Sequence, residues 1–119
     1  LDSTPDPYWM QNGITNPNDT EGLMDLISCG AHIVFLVTGR GNVVGSAVSP
    51  CIKITGNRET FRRMNGDMDF DASPVLYGEC TQDEQADRLM DYVVQVAKGN
   101  LYKGEELGHR EYFVPYKYQ

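Results

Sequence analysis

Long apolar runs are absent from this sequence. No stretch approaches the ~20 consecutive apolar residues needed to span a bilayer. The opening Leu1-Asp2-Ser3-Thr4-Pro5-Asp6 has neither the basic start nor the apolar middle of a secretory signal. The expectation is a cytoplasmic protein with no membrane partner. Basic residues are also scarce, ten Lys and Arg against seventeen Asp and Glu, which leaves a formal net charge of −7. Generic binding to nucleic acid or anionic lipid needs clustered cations that release counterions, so both are disfavoured and an anionic ligand must be caught locally. Cysteine is sparse too: Cys29, Cys51 and Cys80 are odd in number and form no CxxC pair. That argues against a disulfide framework and a zinc ribbon, and the three read as buried free thiols. An initiating Met is lacking, and the polar, proline-bearing start reads as a cut inside a longer polypeptide.

What is present suffices for one core, since 119 residues at 40% hydrophobic fall inside the usual size range of a single domain. Residues 1–19, rich in Pro, Asn, Asp and Gly with Tyr8, Trp9 and Met10 as their apolar cluster, read as an extended arm ahead of one α/β domain over 20–119. Asn18-Asp19-Thr20 is a helix-start signal; Leu23, Met24, Leu26 and Ile27 then recur at helical spacing until Gly30. His32 to Val37 is a continuous, β-branched apolar run that predicts a central parallel strand buried on both faces. His32 reads as a structural histidine opening that strand. Cys51 to Thr55 predicts a second strand, followed by a helix from Arg58 to Met64 capped by Asn57. Thr81-Gln82-Asp83-Glu84 is a capping box in sequence form, and Ala86, Leu89, Met90, Val93, Val94 and Ala97 form an apolar stripe that ends at Gly99. Tyr112-Phe113-Val114 predicts a last strand after a turn at Gly108-His109. This alternation predicts a small, mainly parallel sheet flanked by helices, a Rossmann-like three-layer α/β sandwich.

The segment that points to chemistry is Thr38-Gly39-Arg40-Gly41-Asn42-Val43-Val44-Gly45, because it begins where the first strand should end. Ligands of open α/β sheets bind at the carboxyl ends of strands. Glycines let backbone N–H groups converge on an anion, and a guanidinium can clamp a carboxylate with two hydrogen bonds. The alternative is a glycine-rich turn with a solvated Arg40. A dinucleotide site fits poorly: Val43 stands where the middle glycine belongs, and Pro50 with the next strand follows too soon for a crossover helix. Asp67, Asp69 and Asp71 lack the Gly and Glu of a calcium loop, having Ala72 and Gly78 instead, and read as a solvated acidic turn. Neither His32 nor His109, read as a turn residue, has a ligand cluster beside it in sequence, so no metal ligands are assigned.

Several strings in order, Gly22 to His32, Val37-Thr38-Gly39-Arg40-Gly41 with Gly45, Pro50 to Thr55 with Asn57, Asp67-Met68-Asp69 and Glu106-Leu107-Gly108-His109, resemble the C-terminal part of altronate and galactarate dehydratases. The resemblance runs from about Asn16 to Tyr116. It implies a metal-dependent hydro-lyase that removes water from a sugar acid to give a 2-keto-3-deoxy acid, with this chain as the last domain of the enzyme and silent alone. Thr38, Gly39, Arg40, Gly41 and Asn42 would surround the substrate carboxylate. Lys53 would be catalytic, in proton transfer, Asn57 would reach a hydroxyl, and Asp69 would stand behind the site. The implied cofactor is a divalent metal, iron first, with manganese or magnesium as alternatives and its ligands mainly outside this chain. The expected partners are a small-molecule sugar acid and the preceding domains of the same polypeptide, with a homo-oligomer left open. A different class of function, an organic-acid-binding or regulatory module without catalysis, is the alternative.

Overall fold

The computed structural model describes residues 19–112. Helix α1 (Asp19–Ser28) leads into strand β1 (Val34–Val37) and, after a long loop, strand β2 (Cys51–Thr55). Then come α2 (Arg58–Arg63), β3 (Phe70–Asp71), α3 (Ser73–Leu76), the long α4 (Gln82–Ala97) and α5 (Lys103–Glu106). The sheet is parallel, in the order β1-β2-β3, with Val34 opposite Cys51 and Ile54 opposite Phe70. A small parallel sheet packed with helices is the architecture expected from the alternation of elements.

The helix ends follow from local chemistry. Asn57 Oδ1 accepts the N–H groups of Glu59 and Thr60 at 3.1 and 3.2 Å, satisfying two donors at the start of α2. Thr81 and Glu84 form the full reciprocal capping box of α4. Both α1 and α4 close at a glycine in the left-handed region, Gly30 at φ 99° and Gly99 at φ 100°. In each, the following N–H reaches back five residues, Ala31 to Leu26 and Asn100 to Gln95, so the last carbonyls keep partners.

The core joins Leu23, Val34, Cys51, Ile52, Ile54, Val96 and Tyr102. Its axis is β2, whose five residues are all buried. Here the expectation for β1 is corrected. Among the described residues β1 lies at the sheet edge, with Phe35 46% and Val37 74% exposed. A continuous apolar run reports hydrophobicity on both faces, not what covers them, and the central strand is the one that carries a lysine. His32 is exposed and precedes the strand. Cys29 is exposed as well; of the three cysteines Cys51 alone is fully buried. Tyr112 is exposed and in no strand, while Phe113 and Val114 lie outside the described residues, as does the expected arm up to residue 18.

A second correction concerns α4. Its inward face is Gln85, Leu89, Tyr92, Val93 and Val96, while Ala86, Met90, Val94 and Ala97 point outward. Two polar anchors set this rotation: Gln85 Nε2 donates to Asp71 O, and Tyr92 OH donates to Asp69 Oδ1 at 3.1 Å. Hydrophobic spacing alone favours a neighbouring stripe, since it does not count hydrogen bonds formed by an inward Gln and Tyr.

Candidate active site

The carboxyl ends of the strands gather the predicted ligand loop and the cap of α2. Thr38 N–H donates to Ile54 O at 3.0 Å, which holds the loop's start beside β2. Gly41 N–H donates to Thr38 Oγ1 at 3.2 Å, and Thr60 Oγ1 donates to Gly39 O at 2.8 Å, so α2 buttresses the loop. Gly41 has φ 91°, and a Cβ there would collide with the Met64 sulfur; only glycine fits this backbone. Arg40 is left exposed at the tip, with no hydrogen bond or ion pair among the described residues. Asn42 is turned the other way: its Oδ1 accepts Val44 N–H at 2.7 Å and its Nδ2 donates to the Asp19 carboxylate, tying the loop to the start of α1. Asn57 spends its oxygen on capping. Of the eight residues singled out, Thr38, Gly39, Arg40 and Gly41 therefore form one loop, Asn42 and Asn57 serve its framework, and Lys53 and Asp69 meet at β2.

Lys53 lies in the middle of β2 and is fully buried. Alternation along the strand places it on the same face as Cys51 and Thr55. Its Nζ is enclosed without a hydrogen-bond partner among the described residues. An enclosed ammonium is costly unless it is paired, which makes this position chemically informative. Burial pushes the Cys51 thiol up to about 12, against the opposing pull of Lys53's positive charge.

Asp69, expected as part of a solvated acidic turn, is a clamp. Its Oδ2 accepts the Lys53 N–H at 2.7 Å, and its Oδ1 accepts Lys103 N–H at 2.7 Å together with Tyr92 OH. One carboxylate thereby ties β2, α4 and α5, and it fixes the backbone that carries Lys53. Burial raises the Tyr92 pKa and the Asp69 charge raises it further, so the phenol stays a donor.

Two residues escaped the sequence reading. His109 is half-buried, not a free turn residue, and its Nδ1 is enclosed with no partner among the described residues. Glu111 accepts Gly45 N–H at 2.8 Å. Burial works to raise its pKa, but the backbone donors and the charges of His109 and Lys53 outweigh burial and lower it. Gly45 permits this approach: a Cβ there would stand 2.6 Å from His109 O. Gly45, the last glycine of the ligand segment, was visible in the sequence, but its neighbour 64 positions away was not.

Against known proteins, the family model described as D-galactarate/altronate dehydratase, C-terminal, matches residues 8–119. The chain is 38% identical over 85 residues to the β subunit of (2R)-sulfolactate sulfo-lyase from Chromohalobacter salexigens, covering 71% of this chain and 22% of that one. It is 31% identical over 94 residues to altronate dehydratase from Escherichia coli K12, covering 79% of this chain and 19% of that one. The chain thus spans about a fifth of the length of these curated relatives. No solved structure matches it.

Proposed function

The chain belongs to the D-galactarate/altronate dehydratase family, as its C-terminal part, and we propose that within a longer protein it supplies one wall of the active site of a lyase acting on a hydroxy acid. The preferred reaction is loss of water to give a 2-keto-3-deoxy acid. The observation that carries this reading is an exposed Arg40 on a glycine loop at the carboxyl edge of the sheet, together with an enclosed Lys53 in the adjoining strand that has no hydrogen-bond partner among the described residues.

Elimination beside a carboxylate requires removal of a weakly acidic proton from the α-carbon, and the transition state places a second negative charge on the carboxylate. Arg40 would hold that carboxylate through two parallel hydrogen bonds that strengthen as the charge grows. Lys53 would move a proton at the neighbouring carbon or its hydroxyl, and the Asp69 clamp would keep the strand beneath it in place. Among the described residues no three His, Cys, Asp or Glu converge, so these residues do not by themselves make a complete metal centre. The divalent metal belongs to the proposal with its ligands in other parts of the longer protein, in the cytoplasm; no helix among the described residues is long and apolar enough to cross a membrane. Those other parts and the sugar acid are the proposed partners.

A second reading follows from the similarity to a sulfo-lyase subunit: the same α-proton is removed, but a sulfur-bearing group leaves from the neighbouring carbon. Keto-acid formation by the full-length protein separates these. Turnover of galactarate or altronate supports the dehydratase reading, turnover of (2R)-sulfolactate supports the second, and acid binding without turnover of any of the three supports the non-catalytic module instead.

A further inference from the structure

Arg40 stands between two glycines, and glycine gives the backbone more freedom than any other residue. A guanidinium on such a tip is poorly aimed unless something outside the tip fixes its neighbours, and affinity is lost whenever a binding group must first be ordered. Among the described residues one hydrogen bond reaches Gly39-Arg40-Gly41 from another element: Thr60 Oγ1 donates to Gly39 O at 2.8 Å. A second, from Gly41 N–H to Thr38 Oγ1, closes the loop on itself. Thr60 also meets the other side of the arginine. Its Cγ2 lies 3.2 Å from where a Cβ on Gly41 would stand, next to the Met64 sulfur one helical turn further on. A single side chain therefore bears on both glycines, its hydroxyl on the first and its methyl against the second.

The helix that carries Thr60 is anchored at both ends. Asn57 N–H donates to Oγ1 of the fully buried Thr55 at 3.1 Å, so α2 springs directly from the end of β2. At its other end Met64 O accepts the N–H of the buried Met68 at 2.8 Å. Between them Arg58 Nε donates to Ser73 Oγ at 3.3 Å and ties α2 to α3. We propose that Thr60 is a positioning residue for the acid's carboxylate: it touches no reacting atom, and it holds the loop so that Arg40 already faces the carboxylate. This rests on the lyase reading, in which Arg40 is the clamp, and adds to it the side chain that aims the clamp.

The kinetic consequence is specific. When the binding-competent arrangement is only a fraction of the population, apparent affinity falls by that fraction, while saturating acid draws the loop into place. Loss of the Thr60 hydroxyl therefore raises KM and spares kcat, whereas loss of the guanidinium affects both.

The test uses the full-length protein, whichever of galactarate, altronate and (2R)-sulfolactate it turns over, and the single and double variants of Thr60 and Arg40. Thr60→Val keeps the methyl, the shape and a similar helix propensity but removes the donor. A hydrogen bond of ordinary net strength shifts an equilibrium by about two- to tenfold, so KM should rise by about that factor with kcat within about 1.5-fold of wild type. Thr60→Ser keeps the donor and should hold both constants within about 1.5-fold. In an Arg40→Lys background, Thr60→Val should raise KM by less than about 1.5-fold, because a flexible point charge has no fixed plane to aim. Where Arg40→Lys itself impairs turnover, four results would each overturn the positioning role and leave the clamp standing. They are a wild-type KM in Thr60→Val, a kcat as low as that of Arg40→Lys, a Thr60→Ser variant as poor as Thr60→Val, and full additivity of the two changes. Wild-type constants in Arg40→Lys, or a protein that turns over none of the three acids, would remove the clamp and the positioning role together.

Discussion

Replacing Asp69 by Ala should damage this fold more than any other single change to a surface-reaching carboxylate. The side chain accepts three hydrogen bonds, from Lys53 N–H, Lys103 N–H and Tyr92 OH, at 2.7, 2.7 and 3.1 Å. Hydrogen bonds to a charged acceptor contribute about 1.5–3 kcal/mol each, and three that share one group do not add in full, so the expected loss is about 3–5 kcal/mol. Asp69→Asn should lose about 1–3 kcal/mol, because its amide oxygen can serve one side while its NH2 group faces an N–H on the other. Native-state hydrogen exchange reads this locally. The amides of Lys53 and Lys103 should exchange about 100–1,000-fold faster in Asp69→Ala, the factor that corresponds to a few kcal/mol of local opening. Unchanged protection at both amides would refute the clamp and return Asp69 to the solvated turn that its sequence setting suggested.

Leu89→Ala, at a half-buried position against the core, should lower stability by about 1–2 kcal/mol, while Met90→Ala, on the outward face, should stay within about 0.5 kcal/mol; chemical denaturation compares them. Thr81→Ala removes the capping box of α4 and should lower stability by about 1 kcal/mol in the same assay. Alkylation should label the exposed Cys29 first and leave Cys51 unmodified in the folded protein. The Cys51 thiol, with its folded pKa raised from 9.0 to about 12, holds its proton in the folded state where the unfolded chain has lost it. Its contribution to stability is therefore fully present below pH 9.0 and falls as pH rises from there toward 12, and a Cys51→Ala variant should show a shallower decline across that window.

The parts of this fold legible in the sequence are those set by neighbours along the chain. Thr81 and Glu84 announce their capping box within four residues, Asn57 its cap within three, and Gly30 and Gly99 their helix stops. Strand order was not legible, because Phe35 and Val37 look the same in sequence whether another strand covers them or not. The two-residue β3 was hidden inside an acidic stretch, where Asp69 and Asp71 read as solvated although one clamps three elements and the other caps Ser73. In the candidate site, Arg40 and the glycines stood out by composition and Lys53 by resemblance. His109 and Glu111 did not, since their importance lies in contacts with Gly45 that only the folded chain creates.

The central claim, that the loop at the end of β1 holds the carboxylate of the acid, is tested most directly at Arg40. Its guanidinium is exposed on a buttressed loop, so Arg40→Lys removes planar, two-point recognition without disturbing the core. The measurement is kcat and KM of the full-length protein and its Arg40→Lys variant with whichever of galactarate, altronate and (2R)-sulfolactate the wild type prefers. The prediction is an unchanged melting temperature, a raised KM and a kcat lowered as well, because the clamp strengthens in the transition state. A folded variant with both constants at the wild-type values would make Arg40 a solvent-facing turn residue and contradict the assignment of the site.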